Sequence, residues 1–350
     1  MARMRELAPG QKLDRYEITE LMSRGGMACV FKAIDLATGA TVVLKVPHEQ
    51  LEGDVVFFER FSREEEIGRR VTHPGIVRFL DPGEKSRPYI AMEYVPGSSL
   101  RAVLRSAPRL PIPRALDIGR QLAAALVYLH EHGIVHRDVK PENVVLVPPG
   151  GGVKLLDFGI AFLESARRMT WAGLSGVLGT PDYMAPEQIQ GRRGDARTDV
   201  YALGTILYEM VTGHLPFDAP DALSMMHAKT HRDATPARQH LPDLDPGLEA
   251  VLSLALARDR RDRYANAREL LADLDEPHRA LSRVAARPPT RMARRWPWRW
   301  GWGAAAACVL IGAAAACAVS AGRIALDRSS PAPLESSAQP RHGWFRAGRS

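Results

Sequence analysis

Cysteine is scarce in this chain: Cys29, Cys308 and Cys317 are all that 350 residues contain. Three scattered thiols cannot form the even, regularly spaced set of a disulfide framework, which places the main body in a reducing compartment. Zinc-finger spacing is missing, and so is a recognition-helix signature. Met1 to Tyr16 lacks an apolar core and reads as no signal peptide. Compositional extremes are lacking too: 45% apolar and 25% charged residues exclude a disordered or collagen-like chain. The net charge of +7 has no binding-surface pattern. Much of the excess is arginine between Arg279 and Arg299 and the rest is dispersed, so nucleic acid is not the expected partner. Length allows about two domains at roughly 150 residues each.

What the chain does have is a dense polar stretch, His136-Arg137-Asp138-Val139-Lys140-Pro141-Glu142-Asn143, bounded by apolar runs. Asp138 could accept a proton from a hydroxyl, Lys140 could hold an anionic group beside it, and Asn143 could reach a metal through its amide oxygen. Further on, Asp157-Phe158-Gly159 follows the apolar run Val153–Leu156. That sets a second carboxylate at a strand end, with a glycine to turn the chain. Upstream, a strand from Tyr16 and a strand from Cys29 to Ile34 flank Ser23-Arg24-Gly25-Gly26-Met27-Ala28-Cys29-Val30. Such a strand–turn–strand unit can fold over phosphates, because glycine lets N–H groups approach an anion; an ordinary hairpin turn is the plain alternative. A third strand, Thr41 to Val46, carries Lys45 at its end. In the helix expected from Phe57 to Val71, Phe57, Phe61 and Glu64 share one face at i, i+4, i+7, and Gly68 continues it. Glu64 is therefore the inward glutamate, while Glu65 and Glu66 belong to solvated faces.

In order and spacing the two acidic loops resemble the catalytic and metal-binding loops of protein kinases, and the resemblance extends over residues 16 to 275. It implies an α+β, two-lobed fold, with a small β-rich lobe over 16–95 and a larger helical lobe over 96–275. Asp138, Lys140, Lys45 and Glu64 become the catalytic set. Residues Ser23 to Ala28 and Val30 become the phosphate-covering loop, although Ser23 and Ala28 stand where the family's G-x-G-x-x-G has glycine. Glu93 to Val95 form the hinge for adenine behind Met92. The cofactors implied are ATP and two Mg²⁺ ions, held by Asn143 and Asp157.

Lys140 and the run Gly179-Thr180-Pro181-Asp182-Tyr183-Met184-Ala185-Pro186-Glu187 resemble the serine/threonine branch, with Thr180 bridging to Asp138 and Lys140. Glu187 would pair with Arg263, and Asp199 would brace the catalytic loop. Thr170, and after it Ser175, are the expected phosphorylation sites of the loop between Gly159 and Gly179. A phosphate there adds about −1.5 to −2 charge that Arg137 could meet. His73 reads as a capping or packing residue, the ring of His130 as suited to a helix C-terminus, and His227 with His231 as a solvated face.

After Pro277 the chain turns Arg/Pro-rich, an expected linker over 276–302. The stretch 303–322 has no charged residue; as a helix at about 1.5 Å per residue it spans roughly 30 Å, enough for a bilayer core. Trp296, Trp298, Trp300 and Trp302 make an interfacial belt. Arginines at 287, 291, 294, 295 and 299 outnumber Arg323 and Arg328, which places the N-terminal side in the cytoplasm. Gly312, Ala316 and Ser320 have the small-residue spacing of a homodimer seam, and residues 323–350 are too few for a folded domain. The arrangement resembles eukaryotic-like kinases of bacterial inner membranes with protein substrates. Two alternatives stand beside it: a membrane-tethered pseudokinase scaffold, and a small-molecule phosphotransferase on the same fold.

Overall fold

In the computed structural model, residues 7–52, 54–157 and 181–286 are described. They begin with a five-stranded antiparallel sheet in the order β1-β2-β3-β4-β5, made of Lys12–Leu13, Tyr16–Arg24, Ala28–Asp35, Thr41–Pro47 and Ile90–Glu93. Alternation does the sorting, since successive side chains point to opposite faces. Phe31 and Ala33 of β3 and Val42, Leu44 and Val46 of β4 bury one face together with Tyr16 and Tyr89. The polar residues 1–15 read from sequence as a loose leader, but residues 8–15 are tied into this sheet: Leu13 is buried, Gly10 N donates to Ile18 O (2.8 Å), and Asp14 accepts from the Tyr89 hydroxyl (2.9 Å). Ile76 and Phe79 add isolated bridges, to Leu155 and Met92.

Between β4 and β5 lie the short helix α1 (Glu49–Glu52) and the long α2 (Val55–Arg70). Asp54 caps α2, its carboxylate accepting from Val56 N and Phe57 N; this satisfies donors that a helix start leaves open. Phe57, Phe61, Glu64 and Gly68 are the buried face. At Gly68 a Cβ would stand 2.4 Å from the Phe79 ring, so glycine is what lets this helix sit so close.

The larger half is helical: α3 (Leu100–Ser106), α4 (Ile112–Glu131), α5 (Pro186–Ile189), α6 (Ala196–Thr212), α7 (Ala222–His231), α8 (Pro246–Ala255), α9 (Ala267–Asp275) and α10 (Arg279–Ala285). A three-stranded sheet, β6 (Ser98–Ser99), β7 (Val144–Val147) and β8 (Gly152–Leu155), lies against α4. Nearly every residue of α6 is buried, its apolar residues in the core and its polar Thr198 and Asp199 bonded to neighbours. It ends at Gly213, whose φ of 78° is the left-handed conformation glycine tolerates best. The expected linker over 276–302 is corrected at its start. The helix α10 packs on α8, buries Ala280, and sends Arg283 to the buried Asp273 (2.9 Å). Composition misled here because arginine stems cover apolar surface while their heads pair. Among the described residues no helix is long and apolar enough to cross a membrane; the stretch 303–322 lies outside them.

Candidate active site

Lys45 leaves β4 toward α2 and is the junction of the site. Its Nζ donates to Glu64 Oε1 (2.7 Å) and to Asp157 Oδ1 (2.8 Å). Two carboxylates thus share one ammonium. Burial alone would lower the Lys45 ammonium, but Asp157 and Glu64 outweigh it and hold the group above its ordinary range. Glu64 is 1% exposed, and burial pushes it up to about 7 despite Lys45. Asp157 moves the opposite way: burial opposes its ionisation, and Lys45 more than reverses that, so it stays below the usual carboxylate range. Desolvation and charge pairing pull apart two acids around the same base. Asp157 also has φ 39°, an uncommon backbone state for a residue with a side chain.

Across from it stands Asp138. Lys140 Nζ reaches both its oxygens, at 3.0 and 2.7 Å. Asn143 Nδ2 donates to Asp138 O and Oδ2, both at 2.9 Å. With both amide hydrogens used, the amide oxygen of Asn143 is the atom left for a cation. The main chains of the two loops are joined by Leu156 N donating to Asn143 O (2.7 Å), which fixes Asn143 relative to Asp157. Among the described residues no group of three or more His, Cys, Asp or Glu could hold a metal ion. One amide and one carboxylate suit a small hard cation that shares phosphate oxygens, not an all-protein cage.

The loop carrying Asp138 is braced from below. Asp199 on α6 accepts from His136 N (2.9 Å), Arg137 N (2.7 Å) and His130 Nε2 (2.9 Å). Arg137 can therefore hold a φ of 67°, and its carbonyl is taken by Gln188 Nε2 (3.0 Å). His136 is itself buried, with Nε2 on Leu156 O (3.0 Å) and Nδ1 accepting from Asp138 N (3.3 Å). A cavity of 520 Å³ opens over Asp138 and Lys140, with Asp182, Tyr183 and Met184 in its wall. At its rim Arg101 ties Glu142 and Glu209 together (both 2.8 Å) and meets the Tyr183 hydroxyl.

The glycine turn joins β2 to β3. Ser23 pairs with Val30 and Arg24 with Cys29 in the strand register, and Gly25 N donates to Ala28 O (2.9 Å). Both positions where glycine was expected, Ser23 and Ala28, are thus strand residues. Met27 packs against the main core, and Gly26 lies at the tip with it. His48 holds this turn from the end of β4: its Nε2 meets Gly25 O (2.7 Å) and its N–H donates to Met27 O (3.0 Å). At the hinge, Met92 is buried beside Phe79, Glu93 N donates to Arg78 O (2.9 Å), and the Glu93 carboxylate is engaged by Lys154 and Arg78 N. Val95 packs on the core.

The protein kinase domain family matches residues 16–274. The chain belongs to that family. A probable serine/threonine-protein kinase of Corynebacterium efficiens is 40% identical over 282 residues, 78% of this chain and 43% of that protein. Serine/threonine-protein kinase PknB of Mycobacterium tuberculosis is 38% identical over 277 residues, 77% of this chain and 44% of its own length. The chain thus spans less than half the length of the curated relatives it matches. Among solved structures, the kinase domain of Mycobacterium tuberculosis PknI superposes with a TM-score of 0.61 at 30% identity, covering 78% of this chain and all of that one.

Within this kinase fold the sequence-expected residues Lys45, Glu64, Asp138, Lys140, Asn143 and Asp157 come together. Glu187 and Arg263 meet in a buried bidentate pair (2.8 and 2.9 Å). Glu65 is a correction: it is no solvated residue but pairs with Lys85 (2.6 Å) at 15% side-chain exposure. His73 packs on Tyr128, with ring centroids 5.2 Å apart. Thr170, Ser175 and Thr180 lie outside the described residues. Sequence reasoning missed His48, Gln188 and Arg101. None sits in a motif, and only His48, two residues past the third strand, had a position that could have suggested its contact.

Proposed function

We propose that this chain is a serine/threonine protein kinase that transfers the γ-phosphoryl group of ATP to protein hydroxyls. The observation that carries this reading is the Lys45–Glu64–Asp157 cluster assembled opposite Asp138, Lys140 and Asn143. Phosphoryl transfer requires positioning and charge neutralisation above all. Lys45, fixed by Glu64, holds the α- and β-phosphates. Asp138 orients the hydroxyl and takes its proton. Lys140, already on Asp138, stabilises charge on the moving group. Asn143 Oδ1 and Asp157 would hold Mg²⁺, two ions in our reading, and the metal supplies neutralisation of phosphate charge. Glu93 and Val95 present main-chain groups to adenine.

Regulation is part of the same proposal: phosphorylation of Thr170, or of Ser175, orders the following loop through Arg137, and Thr180 links that loop to Asp138 and Lys140. So is location. The uncharged stretch 303–322, with its tryptophans and arginine flank, supports a single-pass inner-membrane anchor, a cytoplasmic kinase domain and a homodimer through the small residues. The departures at Ser23 and Ala28 favour a scaffold without catalysis as the second reading. The full chain and its Asp138→Asn variant, each with labelled ATP and Mg²⁺, separate the two. We expect label on Thr170 or Ser175 in the wild type only. ATP binding without any transfer would establish the scaffold.

A further inference from the structure

The kinase mechanism makes no use of the buried lysine on α7. Lys229 is 1% exposed, and its ammonium is met by main-chain carbonyls: Nζ donates to Asp182 O and to Met184 O, the latter at 3.1 Å. The rings of Tyr201 and Phe217 close the site, with centroids 5.2 and 5.9 Å from Nζ. A cation held this way is costly to bury, and a methionine or leucine of similar volume would serve packing alone better. The two carbonyls it grips belong to the segment Pro181–Met184, whose residues also wall the 520 Å³ cavity over Asp138. On its other side this segment borders a second groove of 810 Å³, lined by Pro181, Asp182, Phe217 and Met225. Lys229 therefore fastens the strip of chain between the reacting centre and the surface where an extended polypeptide would lie.

We infer that Lys229 is a positioning residue for protein-substrate docking, holding Pro181–Met184 in the shape that receives the polypeptide around the acceptor hydroxyl. This rests on the kinase reading above. The charged and titratable groups around it are Asp182 in the turn, Tyr201 on α6, and Arg263, itself paired with Glu187 on α5. Burial lowers the Lys229 ammonium to about 7; Asp182 opposes that and Arg263 adds to it. Below that pH the group is a cation with three donors, and its hold on two carbonyls is charge-assisted. Above it the amine is neutral and the grip slackens, so docking weakens as pH rises.

The test uses the full chain with myelin basic protein as probe substrate, comparing wild type, Lys229→Met and Lys229→Gln from pH 6.0 to 8.5. At pH 6.0 the methionine variant is expected to raise KM for the protein about tenfold, the scale of a lost charged hydrogen bond, with KM for ATP unchanged. That gap closes toward pH 8.5 as the wild type loses its proton. Glutamine, with donors but no charge, matches the wild type at pH 8.5 and not at 6.0. The methionine variant is also expected to melt no lower than the wild type at pH 6.0, which a purely structural lysine would not allow. A variant-to-wild-type KM ratio that is flat with pH, or equal to one, overturns the inference. Should the methionine variant fail to fold, the glutamine variant and the wild-type KM across pH 7 decide by the same criterion. A wild type that transfers no phosphate to the probe or to itself refutes the kinase reading instead.

Discussion

The Glu187–Arg263 pair lends itself to a quantitative prediction. Arg263 is wholly buried and Glu187 nearly so, with side-chain exposures of 0% and 6%. The guanidinium grips both carboxylate oxygens and also donates to Ala257 O (2.7 Å), Arg258 O (3.1 Å) and Arg197 O (3.3 Å). Thr198 Oγ1 adds a bond to Glu187 Oε1 (2.9 Å). Glu187→Gln keeps the shape and removes the charge, leaving a buried cation without its counterion. Breaking such a pair from one side costs about 3–5 kcal/mol. At about 2–4 °C per kcal/mol for a domain of this size, Tm should fall on the order of 10 °C. Burial opposes ionisation of Glu187, but the hydrogen bonds and charge of Arg263 overcome it and hold the carboxyl below its ordinary value of 4.5. A lowered carboxyl stabilises fully above the unfolded value, and that contribution disappears as pH falls through the folded one. The wild-type advantage should therefore be complete at pH 7.5 and shrink below about 4.5. Differential scanning calorimetry at a series of pH values reads both. A drop under about 3 °C at pH 7.5 would refute the reasoning, since the pair would then be worth no more than an exposed one.

Other substitutions probe the site directly. Asp138→Asn should lower kcat by about 10²–10⁴-fold, the range for a lost general base, with KM for ATP within twofold or so; steady-state transfer assays check it. Gly68→Ala sets a methyl 2.4 Å from the Phe79 ring. It should push α2 outward, loosen Lys45 from Glu64, and cut kcat/KM for ATP by roughly tenfold at a stability cost of about 1–3 kcal/mol; unchanged kinetics would show that the helix tolerates the shift. His48→Ala removes the side-chain bond to Gly25 O while the main-chain bond to Met27 O stays, and should raise KM for ATP about five-fold, the scale of one hydrogen bond, with kcat retained.

How far the sequence carries the reading can be seen residue by residue. Glu64 was legible because three apolar or small partners at helical spacing left one glutamate on the inner face. Asp138, Asn143 and Asp157 were legible because two motifs agreed in order. Lys229 was not: on a helix with little amphipathic contrast a lysine reads as solvated, and only the packing of α7 on the Pro181–Tyr183 turn and on α5 buries it. Glu65 was misread for the same reason, its partner Lys85 lying 20 positions away. The helix α10 was hidden by arginine content, because composition reports solubility and not which stems cover a neighbour.

Asp199 has a further consequence, in the time domain. The amides of His136 and Arg137 are hydrogen-bonded to a carboxylate that is 0% exposed on α6, a helix with no open face. Releasing those two amides requires dismantling the core of the larger lobe, not fraying a loop. They should exchange with solvent deuterium only through global unfolding, at the slow limit of the molecule. The loop that carries Asp138 is then as permanent as the hydrophobic core, and control of the proposed activity must act on the segments around it.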